Sequence, residues 1–165
     1  MSGVSVTRDT FRMMVAVPED LVGMPPDDEW AAWTGVTSWA AGDRTAVVLV
    51  SITVTALDAA LGAARAADSL AARVRARYPE GGALIEEFAT PGGQRAASVR
   101  RTITQPVGGR DVTTGQAQAL VVYPGPGALG VVSAIALDPD DLDRAAALVT
   151  GIAAEMTVTS ASAAA

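Results

Sequence analysis

The stretch from Val112 to Leu137, VTTGQAQALVVYPGPGALGVVSAIAL, decides the fold. It contains two apolar runs rich in β-branched residues, joined by Pro124-Gly125-Pro126-Gly127. Such runs are typical of strands, and consecutive Pro and Gly residues favour a tight turn between them. The stretch therefore predicts a β-hairpin at the centre of an antiparallel sheet.

The residues after this hairpin, Asp138-Pro139-Asp140-Asp141, have the features of a helix start. Asp caps a helix well, Pro suits the first helical position, and acidic side chains favour the positive end of the helix dipole. We expect the second strand to lead directly to a helix from Asp140 to Glu155. A short closing strand, Met156 to Thr159, should follow.

Four further segments have the composition of strands, because they are runs rich in apolar and β-branched residues. They are Phe11 to Val17, Ala46 to Thr55, Ala83 to Thr90 and Arg95 to Thr104. The last two flank Pro91-Gly92-Gly93 and predict a second hairpin, more polar than the first.

Between these strands the sequence predicts one long helix, from Asp58 to about Tyr78, ended by the pair Gly81-Gly82. Its apolar stripe is mostly Ala, so Leu70, Val74 and Tyr78 are expected to anchor it to the sheet. The predicted fold is α+β: a twisted antiparallel β-sheet of about six to seven strands with helices packed on it. The 165 residues suit one domain, 1–165, with a low-complexity tail from 160 to 165.

The composition excludes several kinds of chemistry. The chain has no Cys and no His, and all twelve of its cationic side chains are Arg. Thiol catalysis, thiolate metal sites, Schiff-base lysines and His-based acid–base catalysis are therefore ruled out. We expect no cofactor and no intrinsic metal site. A net charge of −6 disfavours nucleic acid and anionic membranes as partners. No apolar run is long enough to span a membrane, so we expect a cytoplasmic protein.

Three motifs have simpler explanations than a site. Gly125 to Gly130 matches G-x-G-x-x-G, but the strand-like VVSAIAL follows it where a dinucleotide loop needs a helix. The acids from Asp138 to Asp143 lack the Gly and Glu of a calcium loop, so helix capping explains them. Glu86 and Glu87 are adjacent strand residues that point to opposite faces, so they cannot act as a glycosidase pair.

The three tryptophans, Trp30, Trp33 and Trp39, all lie within ten residues. Trp30 and Trp33 are three residues apart in a segment, 25–33, that predicts one or two helical turns, and Trp39 is expected in the loop after it. One interpretation is that they seal an end of the sheet as core. The other is that they line an aromatic groove for a partner. We expect Trp30 or Trp33 to be partly exposed and Trp39 to be buried.

Positive charge is concentrated in the second hairpin, at Arg95, Arg100 and Arg101, with Arg110 in the next turn. Arg100 and Arg101 must point to opposite faces of their strand. These arginines form either a solvated or salt-bridged strand or a site for an anion or an acidic partner. Arg95 and Arg100 are the candidates for partner contact.

The element order resembles the PsbP-like family, which includes LpqN- and DcrB-type actinobacterial proteins. The residues that carry the resemblance are the strand ending in Val17-Pro18-Glu19, the long helix after AVVLVSITVT, the hairpin from Glu87 to Ala97 and the closing segment from Leu148 to Thr159. The resemblance implies the fold and a mainly non-enzymatic, accessory kind of protein.

Three functions remain open. The first is a non-enzymatic protein that binds a protein partner, or a second copy of itself, and assists secretion or export. The second is a carrier of a small apolar ligand within the sandwich. The third is a Ser or Asp hydrolase, which lacks an obvious base to activate the Ser.

Overall fold

A computed structural model of the chain describes residues 1–8, 10–25, 31–61 and 69–161. In these ranges ten strands form two sheets, and helices pack on the larger one. The strands are β1 (Ser2–Arg8), β2 (Phe11–Val17), β3 (Val22–Met24), β4 (Trp33–Ala41), β5 (Arg44–Ala56), β6 (Leu84–Ala89), β7 (Arg95–Val107), β8 (Arg110–Tyr123), β9 (Ala128–Ala136) and β10 (Thr157–Ser160). The helices are α1 (Leu57–Leu61), α2 (Leu70–Arg75) and α3 (Leu142–Glu155).

The larger sheet has seven strands in the order β3-β4-β5-β9-β8-β7-β6, and every pair is antiparallel. The quoted hairpin is β8–β9, which lies between β5 and β7 as predicted for a central hairpin. Its turn closes with Tyr123 paired to Ala128. The predicted antiparallel α+β fold is confirmed.

One face of this sheet is covered by α3 and by a smaller sheet of order β1-β2-β10. The core lies between these layers, and its largest fully buried side chains include Met13, Ile52 and Val132. Tyr123 donates a buried hydrogen bond of 2.7 Å to the Met156 carbonyl, where α3 ends. Burial raises the pKa of this tyrosine to about 12. The strand β1 was not predicted from the sequence.

The start of α3 confirms the predicted capping by Asp138. Its side chain accepts a hydrogen bond of 2.9 Å from the Asp140 amide, and Pro139 begins a 3₁₀ turn that leads into α3. Asp141 is buried there and accepts two hydrogen bonds from Arg44, at 2.7 and 2.9 Å. The bidentate pair fixes the start of α3 to the β4–β5 turn.

The Arg44 hydrogen bonds hold the pKa of Asp141 below its ordinary value of 3.8. A carboxylate with a depressed pKa stabilises the fold above that ordinary value, and the stabilisation is lost as the pH falls through the lower folded pKa. We expect Asp141→Asn to be less stable than the wild type at pH 7, with the difference shrinking below about pH 4. Urea unfolding at several pH values measures this difference. The control is Asp111→Asn, because Asp111 is exposed. The expectation would be contradicted if the difference in unfolding free energy between Asp141→Asn and the wild type stayed constant with pH.

The predicted helix from Asp58 to Tyr78 is wrong as one continuous helix. Ser69 has an extended backbone, with φ −68° and ψ 155°, and its hydroxyl accepts a hydrogen bond from the Ala72 amide, so a new helix begins there. The predicted anchors are confirmed, because Leu70 and Val74 are buried against the sheet and Tyr78 packs beside them. The helix α2 therefore lies on the opposite face of the sheet from α3.

The prediction for the tryptophan segment is wrong where the structure describes it. Trp33 begins β4 instead of ending a helix, and Trp39 lies in the same strand instead of a loop. Both side chains are half-buried and pack against the core from one face of β4. The expected partial exposure of Trp33 is therefore confirmed, whereas the expected burial of Trp39 is wrong. Trp30 lies outside the described residues.

Two glycines make room for the Trp33 indole. A Cβ on Gly35 would overlap the indole and come within 3.0 Å of the Val22 carbonyl oxygen, and one on Gly23 would lie 3.5 Å from the indole nitrogen. We expect Gly35→Ala to displace the ring and to cost about 1 to 3 kcal/mol, as overpacking does. Near-ultraviolet circular dichroism and urea unfolding check both effects. Gly3→Ala is the control because nothing lies within 4 Å of that position, and equal behaviour of the two variants would contradict the expectation.

Candidate functional site

The candidate site is a groove on the face of the large sheet that also carries α2. It has a volume of about 960 Å³, which is within the usual range for ligand pockets. Strands β4, β5, β9 and β8 form its floor, and α2 with the turn after it forms one wall. The opposite face of the same strands is closely packed against α3 and the small sheet. The groove therefore lies between the sheet and the α2 layer.

A row of polar side chains crosses the floor of the groove. Thr34, Ser51, Ser133 and Gln118 occupy matching positions on four neighbouring strands. Tyr78 donates a hydrogen bond of 2.7 Å to the Gln118 side-chain oxygen, and the Gln118 amide donates one of 3.1 Å to the Ser133 hydroxyl. This chain of hydrogen bonds orients Gln118 and Ser133.

A second row on the same face of the sheet, displaced by two residues along each strand, is apolar. Val22, Val36, Leu49 and Ile135 are aligned across β3, β4, β5 and β9. Val22 is 61% exposed, Leu49 38% and Ile135 40%, and Val36 is half-buried. Leu49 and Ile135 line the groove itself, and Val36 and Val22 continue the row towards the edge of the sheet. We call these four residues the apolar row. Large side chains aligned in the open on a sheet face are more often part of a binding surface than isolated exposed ones.

The apolar row ends at a pair of polar residues. Gln116 lies opposite Ile135, and Arg101 lies opposite Gln116 on β7. The Arg101 Nε donates a hydrogen bond of 2.6 Å to the Gln116 side-chain oxygen. The Arg101 guanidinium also lies 4.6 Å from the centre of the Tyr78 ring, within cation–π distance. These contacts fix the position of a guanidinium beside two residues that line the groove, Gln116 and Tyr78.

The charge of the groove is opposite to that of the whole chain. Arg8 and Arg77 contribute to its lining, whereas no Asp or Glu of the described residues does so. The net charge of the chain is −6. A neutral polar row, an apolar row and cationic residues together suit a ligand with an apolar body and a polar or anionic end.

The predicted site residues do not meet in this groove. Trp33 and Trp39 point to the opposite face of β4 and are six residues apart, a distance of roughly 20 Å along a strand. Arg144 of α3 lies 4.0 Å from the centre of the Trp39 ring. The contacts of these two indoles are with the core and with α3. Whether they also bind a partner stays a prediction.

Arg95 and Arg100 also lie away from the groove, and both form ion pairs. Arg95 contacts Glu87 at 3.5 Å, and Arg100 contacts Asp143 at 3.2 Å and Glu86 at 3.8 Å. These contacts agree with the salt-bridged interpretation of the second hairpin. Arg101, which points to the other face, is the arginine of this hairpin that reaches the groove.

The sequence contained one signal for the groove. Ser51, Thr53 and Thr55 alternate with buried Val and Ile residues along β5, so one face of this strand had to be more polar than the other. Gln116 and Gln118 alternate with Ala in β8 in the same way. Only the register of the strands shows that these polar positions are neighbours.

No protein-family model matches the sequence, and comparison with curated proteins finds no similar sequence. In the described part of the chain, none of the helices is both long and apolar enough to cross a membrane. The structure is similar to that of LpqN of Mycobacterium tuberculosis, which is involved in cell envelope biogenesis. The two chains are 17% identical, the match covers 96% of this chain and 91% of that one, and the TM-score is 0.56. This likeness shows that the chain has a fold related to that of LpqN.

Proposed function

We propose that the chain is a non-enzymatic binding protein with an accessory role, and that its groove holds a small amphipathic ligand. The observation that carries this proposal is the groove floor, where the accessible Leu49 and Ile135 lie beside a row of polar side chains that includes the hydrogen-bonded Gln118 and Ser133. Ligand sites commonly combine apolar walls with a few fixed polar groups. This proposal corresponds to the second function that the sequence left open, a carrier of a small apolar ligand.

The chemistry of the groove supports binding more than catalysis. Ser51 and Ser133 are its candidate nucleophiles, but the chain contains no His, Cys or Lys, and no carboxylate of the described residues lines the groove. A serine needs an adjacent base to become a nucleophile. The Ser133 hydroxyl instead accepts a hydrogen bond from Gln118, which holds it as a polar contact.

An accessory role in secretion, export or the cell envelope is the proposed setting. The related fold of LpqN, a protein involved in cell envelope biogenesis, is compatible with such a role. A protein that holds an amphiphile in a groove open to solvent can pass it to a partner without chemical change.

Titration with a neutral, environment-sensitive apolar fluorophore, N-phenyl-1-naphthylamine, tests the proposal on the purified full chain. We expect saturable binding with a stoichiometry of one and a blue-shifted emission, because the probe leaves water for the apolar row. Unlabelled single-chain amphiphiles should displace it. Absence of saturable binding, in a chain whose circular dichroism shows that it is folded, would contradict the proposal.

A protein partner is the second candidate. It is favoured by strand β3, which is at the edge of the large sheet and carries the exposed Val22 and Met24. A free strand edge with accessible apolar side chains can accept an extended peptide as an additional strand. Cross-linking of a partner to β3 that is unaffected by a groove ligand would favour this candidate.

A further inference from the structure

We propose that the ligand of the groove is a free long-chain carboxylate, with its head at Arg101, Tyr78 and Arg77 and its chain along the apolar row. This inference rests on the proposed function and names the class of ligand. It follows from the charge of the groove, from the way Arg101 is held, and from the register that connects Arg101 to the apolar row.

Charge complementarity selects an anion. The chain as a whole is acidic, so an anionic ligand would be repelled by most of its surface. The groove is an exception, because Arg8 and Arg77 line it, whereas no Asp or Glu of the described residues does. A cationic amphiphile would instead be drawn to the acidic surface and away from the arginines.

Arg101 is prepared for a carboxylate. Its Nε is occupied by Gln116 and its guanidinium is stacked on Tyr78, so the plane of the group is fixed before a ligand arrives. Arg44, Arg95 and Arg100 form ion pairs, whereas in the described ranges no carboxylate lies within ion-pair distance of Arg101. A guanidinium fork binds a carboxylate through two parallel hydrogen bonds, and one fixed in advance loses less entropy on binding.

Arg77 supplies a positive charge to the lining of the groove. It lies next to Tyr78 in the chain, lines the groove and donates a hydrogen bond to the Ala60 carbonyl. Among the described residues no carboxylate pairs with it either. The Tyr78 hydroxyl is hydrogen-bonded to Gln118, which fixes the ring that supports Arg101.

The register determines where the chain of the ligand lies. Arg101 and Gln116 are the next two positions after Ile135 in the same row across the sheet. Neighbouring strands are about 4.8 Å apart, so five spacings from β7 to β3 give a track of about 24 Å from Arg101 to Val22. A head bound at Arg101 therefore places a single alkyl chain over Ile135, Leu49 and Val36. A single row of apolar side chains can accommodate a ligand with a single alkyl chain.

Three ligands, each with a straight chain of ten carbons, test the inference: decanoate, decanol and decyltrimethylammonium. Each is titrated into the full chain by calorimetry and by displacement of the fluorophore. We expect decanoate to bind about tenfold more tightly than decanol, and decyltrimethylammonium to bind most weakly. The preference for decanoate should shrink as salt is raised from low to high concentration.

Substitution of the two arginines separates the contribution of the ligand's head group from that of its alkyl chain. We expect Arg77→Gln with Arg101→Gln to lower decanoate affinity about tenfold and to leave decanol affinity unchanged. Arg75→Gln is the matched control, because Arg75 is exposed on α2 and does not line the groove. Equal affinities of the wild type for decanoate and decanol would overturn this inference and leave the proposed function standing. Failure of all three ligands and of the fluorophore to bind would overturn both.

Discussion

The variant Ile135→Asp is expected to bind the neutral fluorophore at least tenfold more weakly than the wild type. Ile135 is 40% exposed at the end of the apolar row nearest Arg101, between Leu49 on β5 and Gln116 on β8. An aspartate there removes apolar contact area and places a hydrated charge under the ligand, which must then be desolvated. Because the probe is neutral, the loss is not caused by repulsion between charges.

The control for this variant is Leu84→Asp. Leu84 is 51% exposed on β6 and points to the other face of the sheet. Its substitution therefore also replaces an exposed aliphatic side chain by aspartate, but away from the groove. We expect both variants to keep melting temperatures close to that of the wild type, since neither side chain is buried. Equal loss of probe binding in the two variants, or no loss in Ile135→Asp, would refute a binding site on the apolar row.

The variant Ile52→Ala is expected to lower the free energy of unfolding by about 2 to 5 kcal/mol, the usual cost of truncating a fully buried aliphatic side chain. Ile52 is 0% exposed on β5, between Trp33 of β4 and Val132 of β9, and faces the layer of α3 and the small sheet. The cavity left behind lies in the centre of the core, where the surrounding side chains have little freedom to close it.

Urea unfolding measures this change as a lower midpoint with an unchanged slope. The control is Ser51→Ala, which changes the adjacent residue on the opposite, groove-lining face. We expect that variant to unfold within about 0.5 kcal/mol of the wild type. A loss below 1 kcal/mol for Ile52→Ala would mean that the core does not lie on this face of the sheet.

The parts of the fold that local chemistry determines could be predicted from the sequence. The turn at Pro124-Gly125-Pro126-Gly127 and the cap at Asp138 depend on residues next to each other in the chain, and both are confirmed. The hairpin around Pro91-Gly92-Gly93 is confirmed for the same reason. Turn residues and caps restrict the backbone before any tertiary contact forms.

The errors occurred where two patterns compete. In β4, Trp33 and Trp39 are six residues apart and therefore share one face of a strand, but Trp30 and Trp33, three residues apart, suggested a helix. In the predicted long helix, a stripe of Ala did not show the break at Ser69, which is visible in the structure as an extended, capping residue. Ser is a common N-cap, and this was the signal for a second helix start.

The groove could not be derived from the sequence alone because it depends on register between distant segments. Ser51, Ser133 and Gln118 are far apart in the chain and become neighbours only when β5, β9 and β8 pair. The same is true of Arg101, whose partner Tyr78 follows α2. Predicting such a site requires the exact pairing of several strands, and a shift of one residue would move every side chain to the other face.

Chemical-shift mapping of the full chain tests the central claim most directly. Two-dimensional ¹H–¹⁵N spectra are recorded while decanoate is added. We predict that the largest shifts fall on the groove side of the sheet, at Ile135, Gln116 and Arg101, and that the residues of α3 and β10 move little. Largest shifts on α3, on β10 or around Trp39, with the groove residues unmoved, would contradict the account.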